Sequence, residues 1–174
     1  QASKATPLGA VAQFAAGGKQ MPKKDLGMIC MTYGNIYVAK VSMANPAQVV
    51  KAMLEADAYD GPSIIIAYSH CIAHGINMTS AVDNCKRAVN SGYWPLFRFD
   101  PRKAAEGKNP LQLDSKAPSI SFDDFAGSEN RFRMLKKANP EQAEELMEAS
   151  AKDFAARFDL YQKLADLSAD CGSK

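Results

Sequence analysis

Residues Ser63–Gly75 read SIIIAYSHCIAHG, and the fold follows from how this stretch is interpreted. Ser63-Ile64-Ile65-Ile66-Ala67-Tyr68 is a short apolar run, opened by Gly61-Pro62 and rich in β-branched side chains. Such a run is the signature of a strand buried on both faces, as in a parallel sheet covered by helices. It stops at Ser69-His70-Cys71, and the chain leaves through His74-Gly75. In open α/β sheets the carboxyl ends of the strands face the ligand crevice. A soft thiol at that point, Cys71, is the best single lead to function.

Upstream, Ile36–Ser42 reads as the first strand, and Asn45-Pro46 opens a helix with proline preorganised at its first position. Val49, Val50, Met53, Leu54 and Ala58 fall on one face of that helix, which runs to about Ala58. Strand, helix and strand form a right-handed parallel crossover, with Ser63–Tyr68 as the central strand. Asp25 caps a helix of about two turns over Leu26–Tyr33, stopped by Gly34. Leu8–Ala16 fits a short helix or a packed loop, and Gln1–Pro7 is loop.

Downstream, Ala81, Val82, Cys85, Ala88 and Val89 make a helical stripe behind a cap at Thr79 or Ser80. Trp94–Phe99 is a third strand, and Leu111–Asp114 alternates like a short edge strand. Past Pro118 the text becomes helical, with short helices at Phe122–Phe125 and Asn130–Lys137. Asn139-Pro140-Glu141-Gln142 starts a long helix whose face is Ala143, Leu146, Met147, Ala151, Phe154, Phe158, Tyr161 and Ala165, ending near Asp170. The fold class is therefore α/β: a mostly parallel sheet with helices on both faces plus a long C-terminal helix. Residues 1–118 form the sheet domain and 119–174 a helical extension.

Composition sets bounds on function. The chain has 174 residues, 47% of them hydrophobic, enough to bury a core without metal or disulfides. Net charge is +2 and no basic run exceeds two residues, so attraction to nucleic acid or membrane is not indicated. No apolar stretch approaches a membrane span of roughly 20 residues. Cys30, Cys71, Cys85 and Cys171 are irregularly spaced, which points to a reduced, cytoplasmic setting rather than a disulfide framework. The chain opens at Gln1 in a small-residue loop with no initiator methionine and reads like a piece of something longer.

Chemistry-bearing residues are few. Cys71 is either a small buried hydrophobe or a thiolate ligand at the crevice. Closely spaced ferredoxin-type cysteines are absent, so any cluster held by Cys71 takes its other ligands from elsewhere. His70 and His74 have a spacing that suits zinc on a helix, but here it straddles a strand end and a glycine loop. Cys30 and Cys85 read as packing. Asp123-Asp124 and Glu144-Glu145 read as solvated helical surface. The opening loop QASKAT suits contact with a phosphate or cofactor, against the plainer reading of a solvated loop.

Four motifs occur in order: QASKATP, MTYGNIYVAKVSM, GPSIIIAYSHCIAHG and SGYWPLFRFDPRKAAEGKNPLQLDSKAP. Together they closely resemble the C-terminal region of pyruvate:ferredoxin (flavodoxin) oxidoreductases. The likeness runs from Gln1 to about Pro118 and more loosely through Asn130-Arg131-Phe132 into the last helix. It implies the second part of a thiamine diphosphate-binding domain. Gln1, Ser3, Lys4, Thr6 and Pro7 match the tail of the family's cofactor loop, and Gln1, Ser3 and Thr6 are the implied cofactor-binding residues. Cys71 matches the fourth ligand of the 4Fe–4S cluster nearest the thiamine.

The resemblance further implies Mg2+, coenzyme A, pyruvate or another 2-oxo acid as substrate, ferredoxin or flavodoxin as electron acceptor, and a homodimer. The family's Gly-Asp-Gly motif, its Asn-Thr-Gly-Gly segment, the pyruvate-binding domains and the ferredoxin-like domain are absent from this sequence. The cofactors would therefore be completed by the remainder of the parent enzyme. No catalytic residue is expected in these residues. Taken alone, the chain is expected to be a non-catalytic scaffold or subunit-contact module.

Overall fold

The computed structural model describes residues 1–167. Its sheet has four strands: β1 (Tyr37–Ser42), β2 (Ser63–Tyr68), β3 (Phe97–Phe99) and β4 (Leu111–Leu113), in the order β2-β1-β3-β4. Seven helices surround it: α1 (Leu26–Met31), α2 (Pro46–Asp57), α3 (Ala81–Asn90), α4 (Arg102–Ala105), α5 (Phe122–Ala126), α6 (Asn130–Ala138) and α7 (Pro140–Asp166). The α/β class and the long last helix stand as read from the sequence.

Local chemistry sets the helix starts. Asp25, Asn45 and Asn139 each accept a backbone N–H from the first turn of α1, α2 and α7, respectively. Ser121 and Asp124 form a reciprocal capping box on α5. Ser80 precedes α3 but makes no side-chain cap bond. Leu8–Ala16 is a packed loop rather than a helix, turning between Ala12 and Ala15. The described part of α7 stops at Asp166, with Leu167 extended; Asp170 and Cys171 lie outside the described residues.

Sheet order corrects two expectations. The central strand is β1, buried along its whole length, and β2 is an edge strand of intermediate exposure. The apolar run of β2 reflects helices over both its faces: Ile65 packs in the cluster under α2, whereas Ile64 and Ile66 pack on the other side. Its outer edge pairs with no other described strand.

The sheet is also mixed rather than mostly parallel. Only β1 and β2 are parallel; β3 pairs antiparallel with β1, and β4 antiparallel with β3. The reason lies after α3. Gly92 takes φ +75 and the Trp94 N–H donates back to the Ala88 carbonyl at 2.9 Å, which reverses the chain. The chain re-enters the sheet at the end where β2 left it, with Phe97 opposite Lys40.

A further correction concerns α2. The sequence stripe sends Val49, Val50, Met53, Leu54 and Ala58 inward, but the buried residues are Gln48 and Ala52, with Val49 and Ala56 partly covered. Val50, Met53 and Leu54 are all more than half exposed. Small residues let α2 lie close on Tyr37, Ala39 and Val41, so its larger apolar side chains point away from the sheet.

The other face of β1 meets α1 and α7. Phe97 stacks on Tyr161 with ring centroids 4.7 Å apart, and the Tyr161 hydroxyl donates to the Asp25 carboxylate at 3.0 Å. Further along α7, Phe154 joins Phe122, Phe125, Phe132, Tyr93 and Trp94 in an aromatic core at the carboxyl end of the strands. The Ser150 hydroxyl donates to the Leu8 carbonyl at 2.8 Å, tying the opening segment to the same helix.

Lys40 on β1 is buried, with its ammonium 4.2 Å from the centre of the Trp94 ring. Burial lowers its pKa to about 7, with Arg157 and Lys23 acting in the same direction and Asp25 opposing them. The unfolded chain returns Lys40 to about 10.4. Between about pH 7 and pH 10 the unfolded state therefore binds more protons, and stability rises with pH. Lys40→Met is expected to flatten that rise by up to about 1.4 kcal/mol per pH unit. Urea unfolding of both chains across that range checks this, and equal pH slopes would contradict it.

Candidate functional site

β1 and β2 end side by side, Ser42 opposite Tyr68, and the chain then loops through Ser69–Gly75 over the aromatic core. Cys71 lies at the crest. It is extended and exposed, and its sulfur accepts the Ala73 N–H at 3.4 Å. A single 3-10 turn follows at Ile72–His74, closed by Gly75 in the left-handed region. The buried-hydrophobe reading of Cys71 does not describe this thiol. Cys85, by contrast, is buried in the aromatic core and Cys30 is half-buried under the sheet, as expected of packing residues.

The two histidines diverge. His70 Nδ1 lies 3.6 Å from the Cys85 sulfur, while His74 turns inward, with Nδ1 3.7 Å from Glu129. Burial lowers the His74 pKa to about 4, helped by Arg131 and His70. The ring is thus neutral at physiological pH, and its approach to Glu129 is not an ion pair. Among the described residues no group of three His, Cys, Asp or Glu side chains converges to hold a metal. The zinc reading has no geometry behind it.

Beneath the loop sits a charged network that the sequence did not announce. Glu129 is fully buried. One of its oxygens receives the Tyr68 hydroxyl at 3.1 Å, and the other pairs with Arg131 Nε at 2.5 Å. Burial raises the Glu129 pKa, and Arg131 opposes that shift. Asn84 accepts from the Tyr68 hydroxyl and donates to Ser128. The available signal was the run Glu129-Asn130-Arg131, two opposite charges set between apolar Phe125-Ala126 and Phe132.

The opening loop is pinned from below. Lys19 Nζ donates to the carbonyls of Lys4 and Thr6, and Lys23 Nζ to that of Ala5. Thr6 Oγ1 accepts the Ser3 N–H and Ser3 Oγ accepts the Ala5 N–H, while the Gln1 side chain makes no hydrogen bond to the described residues. Burial lowers the Lys23 pKa to about 8, with Arg131, Arg157 and Lys19 adding to the effect, so the ground behind this loop is electropositive. No hydrogen bond joins Gln1, Ser3 or Thr6 to Cys71 among the described residues. The two regions are linked indirectly, through the Val11 N–H on the Arg131 carbonyl at 2.8 Å and through Ala10, which packs in the same core as Tyr68.

No protein-family profile matches the chain. Individual relatives do. It is 56% identical to a pyruvate-flavodoxin oxidoreductase of Trichormus variabilis over 166 residues, which is 95% of this chain and 14% of that protein. It is 55% identical over 167 residues to a pyruvate:ferredoxin oxidoreductase of Moorella thermoacetica, again 95% of this chain and 14% of that protein. The chain is homologous to a segment of the pyruvate:flavodoxin and pyruvate:ferredoxin oxidoreductases. A mitochondrial NADP-linked pyruvate dehydrogenase of Euglena gracilis shares 48% identity over 168 residues, or 95% of this chain and 9% of that protein. The chain thus spans about one seventh or less of the length of these relatives. No helix among the described residues is long and apolar enough to cross a membrane.

Proposed function

We propose that this chain is one segment of a cytoplasmic, homodimeric oxidoreductase that converts pyruvate and coenzyme A to acetyl-CoA and carbon dioxide. One proton is released, and two electrons leave singly to two oxidised ferredoxins or flavodoxins. The observation that carries the reading is the exposed thiol of Cys71 at the carboxyl end of the parallel strand pair, within a stretch alike over 95% of its length to proteins named for that reaction.

The residues present fit one corner of a 4Fe–4S cluster and no more. Cys71 offers a free sulfur with a single backbone N–H directed at it, the kind of donor that tunes cluster potential. Three further thiolates would come from outside this chain. Gln1, Ser3 and Thr6, on an electropositive base, fit contact with an anionic diphosphate. Thiamine diphosphate, when bound, supplies the electron sink for decarboxylation. Magnesium does not fit here, because the opening loop carries no carboxylate.

The scaffold reading applies to the chain on its own, and the outward apolar face of α2 favours it, since such a patch marks an interaction surface. An assay tests the enzymatic reading. Full-length protein given pyruvate, coenzyme A and oxidised flavodoxin is expected to reduce the flavodoxin only when both substrates are present. Reduction with another 2-oxo acid in place of pyruvate would move the substrate assignment, and none with any 2-oxo acid would overturn it.

A further inference from the structure

We propose that Glu129 is a positioning residue: its buried carboxylate holds the Tyr68 end of the Cys71 loop while the next residue, Asn130, holds the Gly75 end, and together they fix where the sulfur stands. The proposal rests on the reading of Cys71 as a cluster ligand and adds to it the part that holds the ligand still. The question is what immobilises Ser69–Gly75, because apolar packing does not. Cys71 is exposed and Ile72, the loop's largest apolar residue, is 75% exposed. A loop with so little buried area opens locally unless polar anchors hold it.

The anchors converge on one segment. The same Glu129 oxygen takes the hydroxyl of Tyr68, the last residue of β2, and faces the ring of His74 on the far side of Cys71. The next residue, Asn130, donates its N–H to the Gly75 carbonyl at 3.3 Å. Its side chain stands so close that a Cβ on Gly75 would come within 2.3 Å of it. Arg131 holds the second Glu129 oxygen and fixes the carboxylate's orientation. Outside this segment, the loop's side-chain anchor is the His70–Cys85 contact. The Glu129–Asn130 segment thus pins both flanks of an otherwise uncovered loop, the carboxylate at Tyr68 and the Asn130 N–H at Gly75, and a displaced sulfur would alter the cluster it holds.

The test uses full-length protein with Glu129→Gln and Tyr68→Phe, the second removing the hydroxyl and with it the contacts to Glu129 and Asn84. Amide exchange is followed at His74 and Gly75, whose N–H groups donate to the Cys71 and Ile72 carbonyls at 3.0 and 2.9 Å. Loss of a hydrogen bond to a charged group predicts about tenfold faster exchange there, with β1 unchanged. The same variants are expected to shift the midpoint potential and the paramagnetic signal of the reduced cluster. Unchanged exchange at His74 and Gly75 in Tyr68→Phe and in folded Glu129→Gln would overturn the clamp, whatever the iron does. Faster exchange with cluster signals unaltered in both variants would overturn the step from clamp to cluster. Cys71→Ala as a parallel control separates the two readings: retained iron there would sink the ligand assignment and leave the exchange result to judge the clamp alone.

Discussion

Cys71→Ala in the full-length protein is expected to abolish flavodoxin or ferredoxin reduction and to lower iron by about four atoms per chain. The fold should hardly notice. The side chain is exposed, and its one hydrogen bond is a weak one from the Ala73 N–H, so truncation opens no cavity and orphans no buried group. Surface changes of that kind stay within about 0.5 kcal/mol. Loss of cluster with an unaltered melting profile is therefore the specific signature, read by iron analysis, paramagnetic resonance and circular dichroism together. Unchanged iron with unchanged acceptor reduction would contradict the role given to this thiol.

Arg98→Ala has the opposite character, with a large stability loss expected. Arg98 lies in β3, 3% exposed, and donates two parallel hydrogen bonds of 2.8 Å to Asp114, from Nε and Nη2. Its remaining arm pairs with Glu55 of α2, which also accepts the Tyr37 hydroxyl at 2.9 Å. Gln48 completes the group by donating to Asp114 at 3.0 Å. One guanidinium thus joins α2, β3 and the residue after β4. Its removal leaves two carboxylates facing each other with little water to screen them. Breaking one partner of a buried pair costs about 3–5 kcal/mol; because Glu55 keeps partial solvent contact, the lower end applies. Urea unfolding of the chain measures it, and a loss below about 1 kcal/mol would show that water enters and replaces the pair.

Much of this was legible in the sequence because it depends on near neighbours. Asp25, Asn45-Pro46 and Asn139-Pro140 announce helix starts through chemistry that operates within one turn, and each occupies its cap. Helix α7 was readable for a related reason: its apolar residues recur at helical spacing along its whole length, and Ala143, Leu146, Phe154, Phe158 and Tyr161 are buried along it. Cys71 could be placed at a strand end because the apolar run stops abruptly at Ser69.

What stayed hidden depends on distant partners. The run Ile64–Ile66 looks the same whether a strand is central or at an edge; β2 is at the edge because β3 enters beside β1, and that is decided by the reversal at Gly92. Helix α2 has apolar residues on two faces, and the small residues win the sheet because they let the backbone approach. Beyond their apolar flanks, Glu129 and Arg131 carry no mark of burial in the sequence. Tyr68, which donates to Glu129, lies 61 residues earlier, and nothing local signals that pairing.

Anomalous diffraction at the iron absorption edge, from crystals of the full-length protein, addresses the central claim most directly. A peak within bonding distance of the Cys71 sulfur, its other contacts made by cysteines outside these 174 residues, is the result expected. A Cys71 sulfur with no iron beside it, while iron peaks appear elsewhere in the same crystal, would contradict the account.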